Sequence, residues 1–189
     1  MATARKLIDP LEPLEVHISP MRRRHLRAVL RIEGQVYPTP WTHGLFVSEL
    51  ALRSSRVYVV ARVGREVIGY AGLMMSLSDG HVTTIAVDPD WQRQGVATRL
   101  LVTLAQEAIA RGATALTLEV RLSHQGAQRL YQRFGFKAVG VRKGYYADTG
   151  EDALIMWAYE VDQPEYAALL DRLDNGVPGT TVRDRPKGW

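Results

Sequence analysis

The sequence predicts a mixed α/β domain built around one central sheet. Three observations carry this. Apolar residues alternate with a period of two in several short runs and recur every three to four residues in others. These runs follow one another as strand, two helices, three strands, helix, strand, helix and two strands. Finally, tight turns join the middle strands into hairpins, which excludes the alternating βα units of a doubly wound nucleotide-binding sheet. With 189 residues, the chain has room for one ordinary domain of about 100–200 residues.

Residues 1–15 carry Pro10 and Pro13 without periodicity and read as a loose leader. Val16-His17-Ile18 alternates as a short strand. Ser19-Pro20 then offers an N-cap followed by proline at the first helical position. The helix that follows has Leu26, Val29, Leu30 and Val36 near a 3.6 period, with Arg22, Arg23, Arg24, Arg27 and Arg31 at its other positions. That arginine run is either a solvated face or a contact for an anionic partner. Two prolines in Tyr37-Pro38-Thr39-Pro40-Trp41 break the helix, and Thr42 can cap a second one carrying Leu45, Phe46, Leu50 and Leu52.

Val57–Ala61 and Val67–Met74 flank a turn at Gly64-Arg65 and form a hairpin. A third run, His81–Val87, ends at Asp88-Pro89. From Gly95 a stripe of Ala97, Leu100, Leu101, Leu104, Ala105 and Ala108 predicts a helix that stops at Gly112. Ala115–Val120 is a buried strand. Ser123 can cap a helix with Ala127, Leu130, Tyr131 and Phe134 on one face, ended by Gly135. Phe136–Tyr146 and Ala153–Tyr159 form a hairpin around Asp148-Thr149-Gly150. The expected organisation is a leader over 1–15, one domain over 16–160, and a C-terminal helix near Pro164–Leu173 followed by a Pro/Gly-rich, basic, mobile tail to residue 189.

Composition narrows function by exclusion. Without cysteine there is no disulfide, thiolate zinc site, iron–sulfur cluster or cysteine nucleophile. No stretch reaches the roughly 18 unbroken apolar residues of a membrane span. Met1–Lys6 is not followed by an apolar h-region, so a cytoplasmic location is expected and no membrane partner. The net charge of +4 favours acidic partners such as phosphates, RNA or acidic peptides. The five histidines include no pair at metal-ligand helical spacing, so no metal is expected. Phosphate-binding Gly-x-x-x-x-Gly-Lys, dinucleotide-binding Gly-x-Gly-x-x-Gly and Gly-x-Ser-x-Gly patterns are absent.

The stretch Asp88-Pro89-Asp90-Trp91-Gln92-Arg93-Gln94-Gly95-Val96-Ala97-Thr98 joins a strand to a helix. Unpaired N–H groups at a helix start form an anion site, and a side-chain-free Gly95 would let a phosphate approach them. Arg93 and Arg99 add positive charge. The plainer reading is a loop whose glycine starts a helix and whose arginines face water.

This segment, from Val82 to Ala97, resembles the acetyl-CoA motif of the GCN5-related N-acetyltransferases (GNAT), with its Gln/Arg-x-x-Gly-x-Gly/Ala core. The resemblance continues through Leu118-Glu119-Val120-Arg121 and Leu130-Tyr131-Gln132-Arg133-Phe134-Gly135-Phe136. Tyr37–Trp41, Arg142–Tyr146 and Glu151–Met156 are similar to one subgroup, the RimI-type ribosomal-protein-alanine acetyltransferases. The whole covers roughly Val16 to Tyr159.

The resemblance implies an α/β (α+β) fold with a mixed, mostly antiparallel central sheet of about seven strands flanked by helices. It implies acetyl-CoA as cosubstrate, with pyrophosphate on the N–H groups of Arg93, Gln94, Gly95, Val96, Ala97 and Thr98 and the pantetheine arm along Ile85, Ala86 and Val87. It also implies that Glu119 is the general base, acting through water, and Tyr131 the acid that protonates the departing thiolate. Read from the residues alone, Glu119 is equally an outward-facing strand residue and Tyr131 a core tyrosine of an apolar stripe. Tyr37, Trp41, Tyr145 and Tyr146 are candidate substrate walls, although the two hairpin tyrosines could simply pack across their strands. His124 stands where the subgroup has asparagine, and imidazole presents its donor and acceptor in a different geometry.

The function so implied is acetylation of the N-terminal α-amine of an alanine-ended protein of the small ribosomal subunit. An α-amine, with pKa near 7.7–8.0, is far richer in its neutral form at pH 7 than a lysine near 10.4. The alternatives are acetylation of small amines or protein lysines by the same machinery, and a non-catalytic acetyl-CoA- or RNA-binding module, for which the arginine run and the tail speak.

Overall fold

The computed structural model describes residues 13–184. Within them lie eight strands, β1 (Glu15–Pro20), β2 (Arg56–Val63), β3 (Glu66–Ser76), β4 (Asp79–Val87), β5 (Ala115–Arg121), β6 (Lys137–Tyr146), β7 (Glu151–Tyr159) and β8 (Thr180–Arg183). Five helices accompany them: α1 (Leu26–Val36), α2 (His43–Ala51), α3 (Val96–Ala110), α4 (Gln125–Arg133) and α5 (Pro164–Asn175). The strands form one sheet in the order β6-β7-β5-β4-β3-β2-β1-β8. All pairs are antiparallel except β4/β5 and β1/β8.

Strand alternation divides the core into two layers. Val57, Val59 and Ala61 of β2 pack with Leu100, Leu101 and Leu104 of α3, in a layer that also takes in Phe134 and Leu170. Tyr58 and Val60 point the other way, onto Leu26, Val29 and Ile32 of α1 and Phe46 of α2. The α3 stripe read from the sequence is the buried one. Removing one of its fully buried leucines, such as Leu100, should cost about 2–5 kcal/mol.

Three local readings shift. Pro20 ends β1 instead of opening a helix, and a 3₁₀ turn over Arg23–His25 leads into α1. The N-cap of α4 is His124, not Ser123, whose N–H instead donates to Glu151 Oε1 at 2.8 Å. Thr42 does cap α2, accepting the Leu45 N–H at 3.2 Å. The tail differs most: Thr180–Arg183 is an eighth strand, parallel to β1 with Val16 opposite Thr181, where a mobile tail was expected. Its β-branched run Thr180-Thr181-Val182 is a strand signal that the surrounding Pro178, Gly179 and charges outweigh in composition. Residues 185–189, and the leader as far as residue 12, lie outside the described residues.

The sheet opens in its middle. β4 and β5 pair only through Asp79, Gly80 and His81 opposite Ala115, Leu116 and Thr117, after which the two strands run on to Val87 and Arg121 apart. A β-bulge lies just beyond, because Gly72 faces Thr84 and Leu73 faces Val82, leaving Thr83 extra. Bulges bend a strand and increase its twist, and this one turns β4 away from β5. Gly72 is required there: a Cβ would collide with the Tyr58 ring and lie 2.8 Å from Thr83 Oγ1.

Candidate active site

Glu119 stands on β5 beside this opening. Its neighbours Leu118 and Val120 are buried in the α3 layer, so its own side chain projects from the opposite face. His81 projects from the same face, since Val82 belongs to the α3 layer. His81 Nε2 lies 3.2 Å from Glu119 Oε2, and Arg142 Nη1 of β6 lies 3.3 Å from Glu119 Oε1. Glu119 is only 13% exposed in its side chain. Burial lowers the His81 pKa below the usual imidazole value, Glu119 opposes that shift, and Arg142 and Arg56 reinforce it. At neutral pH the imidazole is therefore uncharged and able to take up a proton.

Tyr131 comes from α4 and is 6% exposed, with its ring centred 5.9 Å from that of Phe136. Burial raises its phenol pKa above the ordinary tyrosine value, and Tyr37 and Tyr146 push it the same way. It remains a protonated donor across the physiological range. Tyr37, the C-cap residue of α1, donates its hydroxyl to the Ile85 carbonyl at 2.8 Å and has Thr84 Oγ1 at 3.4 Å. It thus holds α1 to β4 along the stretch of β4 that has no β5 partner.

The β6–β7 hairpin is held by Arg121 at the end of β5. Its Nη2 bonds both Asp148 oxygens, at 3.1 and 2.8 Å, and its Nη1 reaches Glu151 Oε2 at 3.3 Å and Thr149 Oγ1 at 2.8 Å. The same guanidinium lies 3.9 Å from the Tyr146 ring centre. Burial pushes the Tyr146 phenol up to about 12, with Arg121 opposing. The Tyr145 ring stands edge-on to Tyr146 at 5.1 Å and is itself exposed. Trp41 is more tied down: its backbone N–H donates to Glu33 Oε1 at 3.1 Å and its ring packs on Phe46 at 5.3 Å. Glu33 is a buried carboxyl that also accepts the Tyr70 hydroxyl, and burial raises its pKa.

At the other end of the opening, β4 passes into the loop before α3. Asp88 is buried, accepts the Asp90 N–H at 3.0 Å and pairs with Arg31 at 2.6 Å, which takes Arg31 out of the free arginine run. Arg22, Arg23, Arg24 and Arg27 are exposed. Arg93 has φ +64° and Gly95 φ +77°, and no side chain caps α3. Left-handed residues ahead of an uncapped helix are the backbone setting in which successive N–H groups can converge on an anion. Val96 and Thr98 have buried side chains and can meet a ligand only through their backbone. Gly95 carries a constraint that the sequence does not show: beyond its left-handed φ, a Cβ there would collide with Val177 Cγ1. His124 is exposed at the start of α4, and its ring is free of hydrogen bonds among the described residues.

The structure sets Glu119 and Tyr37 beside the separation of β4 and β5, Tyr146 on the hairpin that Arg121 holds, and Tyr131 on α4 in the α3 layer, while the Arg93–Thr98 loop follows the end of β4. Sequence reasoning passed over His81, Arg142 and Arg121. Arg142 sat in a stretch singled out for resemblance, and His81 heads the run that became β4, but only the β4/β5 register sets it beside Glu119. Among the described residues no cluster of His, Asp and Glu could hold a metal ion, and no helix is long and apolar enough to cross a membrane.

Residues 26–136 match the model of the acetyltransferase (GNAT) family. The chain is 36% identical over 141 residues to the ribosomal protein bS18-alanine N-acetyltransferase of Escherichia coli K12, covering 74% of this chain and 94% of that one. It is 36% identical over 147 residues to the N-alpha-acetyltransferase RimI of Mycobacterium tuberculosis, covering 75% and 90%. The crystal structure of the E. coli S18-alanine enzyme superposes with a TM-score of 0.70 at 33% identity, covering 77% of this chain and 94% of that one. Ard1 from Thermoplasma volcanium shares the fold, with a TM-score of 0.71 at 23% identity.

Proposed function

This chain belongs to the GNAT family of acetyltransferases, and within it we propose an enzyme that acetylates the N-terminal α-amine of a protein, the alanine end of ribosomal protein bS18 being the favoured acceptor. One observation carries the reading: a carboxylate and a neutral imidazole meet where β4 and β5 separate, between an aromatic wall and an uncapped helix. The relatives named for bS18-alanine acetylation point to the same acceptor. A ribosomal acceptor also places the work in the cytoplasm.

The residues fit the cosubstrate that the family uses. The N–H groups of Arg93 to Thr98 would hold the diphosphate, and the unpaired side of Ile85–Val87 would lie along the pantetheine arm. Acetyl-CoA supplies the acetyl group as a thioester. The chain supplies proton traffic and position. Glu119, with His81 beside it, takes the proton that the attacking amine loses, directly or through one water. Tyr131, kept protonated by burial, gives a proton to the sulfur as the thioester bond breaks. Tyr37, Trp41, Tyr145 and Tyr146 wall the approach, so that a chain end enters with its first residues in register.

An acceptor panel tests this. Peptides with a free N-terminal alanine should be acetylated at least tenfold faster than N-blocked copies carrying lysine, a factor worth about 1.4 kcal/mol in the barrier. Equal rates on the blocked lysine peptides would discard the α-amine assignment.

A further inference from the structure

The segment after α5 lies outside the residues that the family model matches. The family match ends at residue 136, and the E. coli relative is almost used up by a match that leaves about a quarter of this chain without a counterpart. Residues 177–183 run back along α3 and are fastened to it repeatedly. Val177 is 7% exposed and sits against Gly95, the left-handed residue that opens α3. One turn on, Arg99 is 1% exposed and donates to the Pro178 carbonyl and the Thr181 hydroxyl, while its Nε finds no partner among the described residues. A further turn on, Thr103 Oγ1 accepts from Arg183 Nε at 2.9 Å, and the Arg183 fork grips Asp174 at 2.7 and 2.8 Å.

This is more fastening than an edge strand needs. Pairing with β1 would complete the sheet by itself, and a buried guanidinium whose hydrogen bonds go to neutral oxygens, with Asp174 as its nearby opposite charge, is a costly anchor. The ties fall on the first turns of α3, the helix that the left-handed Arg93 and Gly95 precede. Gly95 is free to leave the left-handed region, since glycine populates either sign of φ. With Val177 against it and Arg99 holding Pro178, that freedom is removed.

We infer that residues 177–183 are a strap that presets the Arg93–Thr98 loop for the diphosphate of acetyl-CoA, so that Val177 and Arg99 are positioning residues for cosubstrate binding. The inference rests on the reading of that loop as the diphosphate site. Presetting lowers the ordering cost of binding and leaves the chemistry at Glu119 and Tyr131 untouched.

The experiment compares two thioesters, acetyl-CoA and S-acetylpantetheine, the second lacking the diphosphate, at saturating acceptor peptide. In the full-length chain, Val177→Ala opens the contact with Gly95, and Arg99→Lys keeps the charge but loses the fork. Each should raise KM for acetyl-CoA about tenfold at nearly constant kcat, the sign of lost uniform binding, and leave kcat/KM for S-acetylpantetheine unchanged. Unchanged KM for acetyl-CoA in both folded variants overturns the strap. Parallel loss on both thioesters overturns it too, because it reports general damage to the fold. If the unmodified enzyme showed the same KM for both thioesters, the diphosphate reading itself would fall, and the strap with it.

Discussion

His81 Nε2 and Glu119 Oε2 face each other at 3.2 Å across the last point where β4 and β5 still share a register. The contact couples a group that burial keeps neutral to one that Arg142 holds from the other side. Glu119→Gln should lower kcat by about 10²–10⁴-fold with acetyl-CoA affinity retained, since the change removes proton acceptance and little volume. Isothermal titration with acetyl-CoA beside steady-state kinetics separates the two effects.

The same pair sets a pH dependence. The folded-state pKa of His81 is lowered, so its neutral form is full above the ordinary value of about 6.5 and is lost as pH falls through the lowered one. Activity should therefore fall on an acidic limb lying below pH 6.5, and the stability that His81 contributes should fall in the same direction. His81→Asn should abolish that limb in kcat/KM and leave the limb of the acceptor amine near 7.7–8.0. An unmoved acidic limb would take His81 out of proton transfer.

Tyr131 offers a cleaner substitution. Its ring is packed on Phe136 and its hydroxyl has no hydrogen-bond partner among the described residues, so Tyr131→Phe keeps the packing. Thermal stability should change by less than about 1 kcal/mol, while turnover falls about 10²-fold or more. A thioester with a more acidic thiol leaving group should recover part of that loss, because it needs the proton less. Equal losses on both thioesters would make Tyr131 a packing residue.

How far such groups could be read beforehand depended on what brought them together. The order of elements through β7 followed from periodicity and turns, because hydrophobic pattern and local turn chemistry agree there. Glu119 and Tyr131 were singled out through resemblance to a family motif, and each was legible only as a position, with His81 invisible as a neighbour. That contact joins β4 to β5 across α3 in a parallel crossover, and no short-range pattern encodes it. β8 is not legible because a four-residue edge strand between Gly179 and a charged end carries less signal than the composition around it. Gly95 is legible as the glycine that opens α3, but the collision a side chain would make there is with Val177, far along the chain.

Arg121 makes the hairpin wall a testable object. Its bonds to Asp148 and Glu151 and its place over Tyr146 hold the hairpin that carries two tyrosines. Arg121→Met should loosen that wall, and an acceptor displaced by about 1 Å can lose on the order of 10²-fold in rate. The expected outcome is a fall in kcat/KM for peptide with acetyl-CoA affinity intact, and Tyr146→Ala should reproduce it. If peptide acetylation and acetyl-CoA binding declined together, the hairpin would be part of the fold's support and not of acceptor recognition.

Gly95→Ala separates two reasons for one glycine. A left-handed alanine costs roughly 1–2 kcal/mol by itself, and here its Cβ would also strike Val177 Cγ1. If the second effect is present, Gly95→Ala should destabilise by more than the first accounts for, in melts without any ligand. Adding Val177→Gly should then return part of the loss, giving a favourable coupling between the two sites in a double-mutant cycle. The left-handed cost stays, because Val177 has no part in it. A cycle that closes with no coupling would mean that Val177 yields freely, and that glycine is needed at this position only for its φ or for close approach of a ligand.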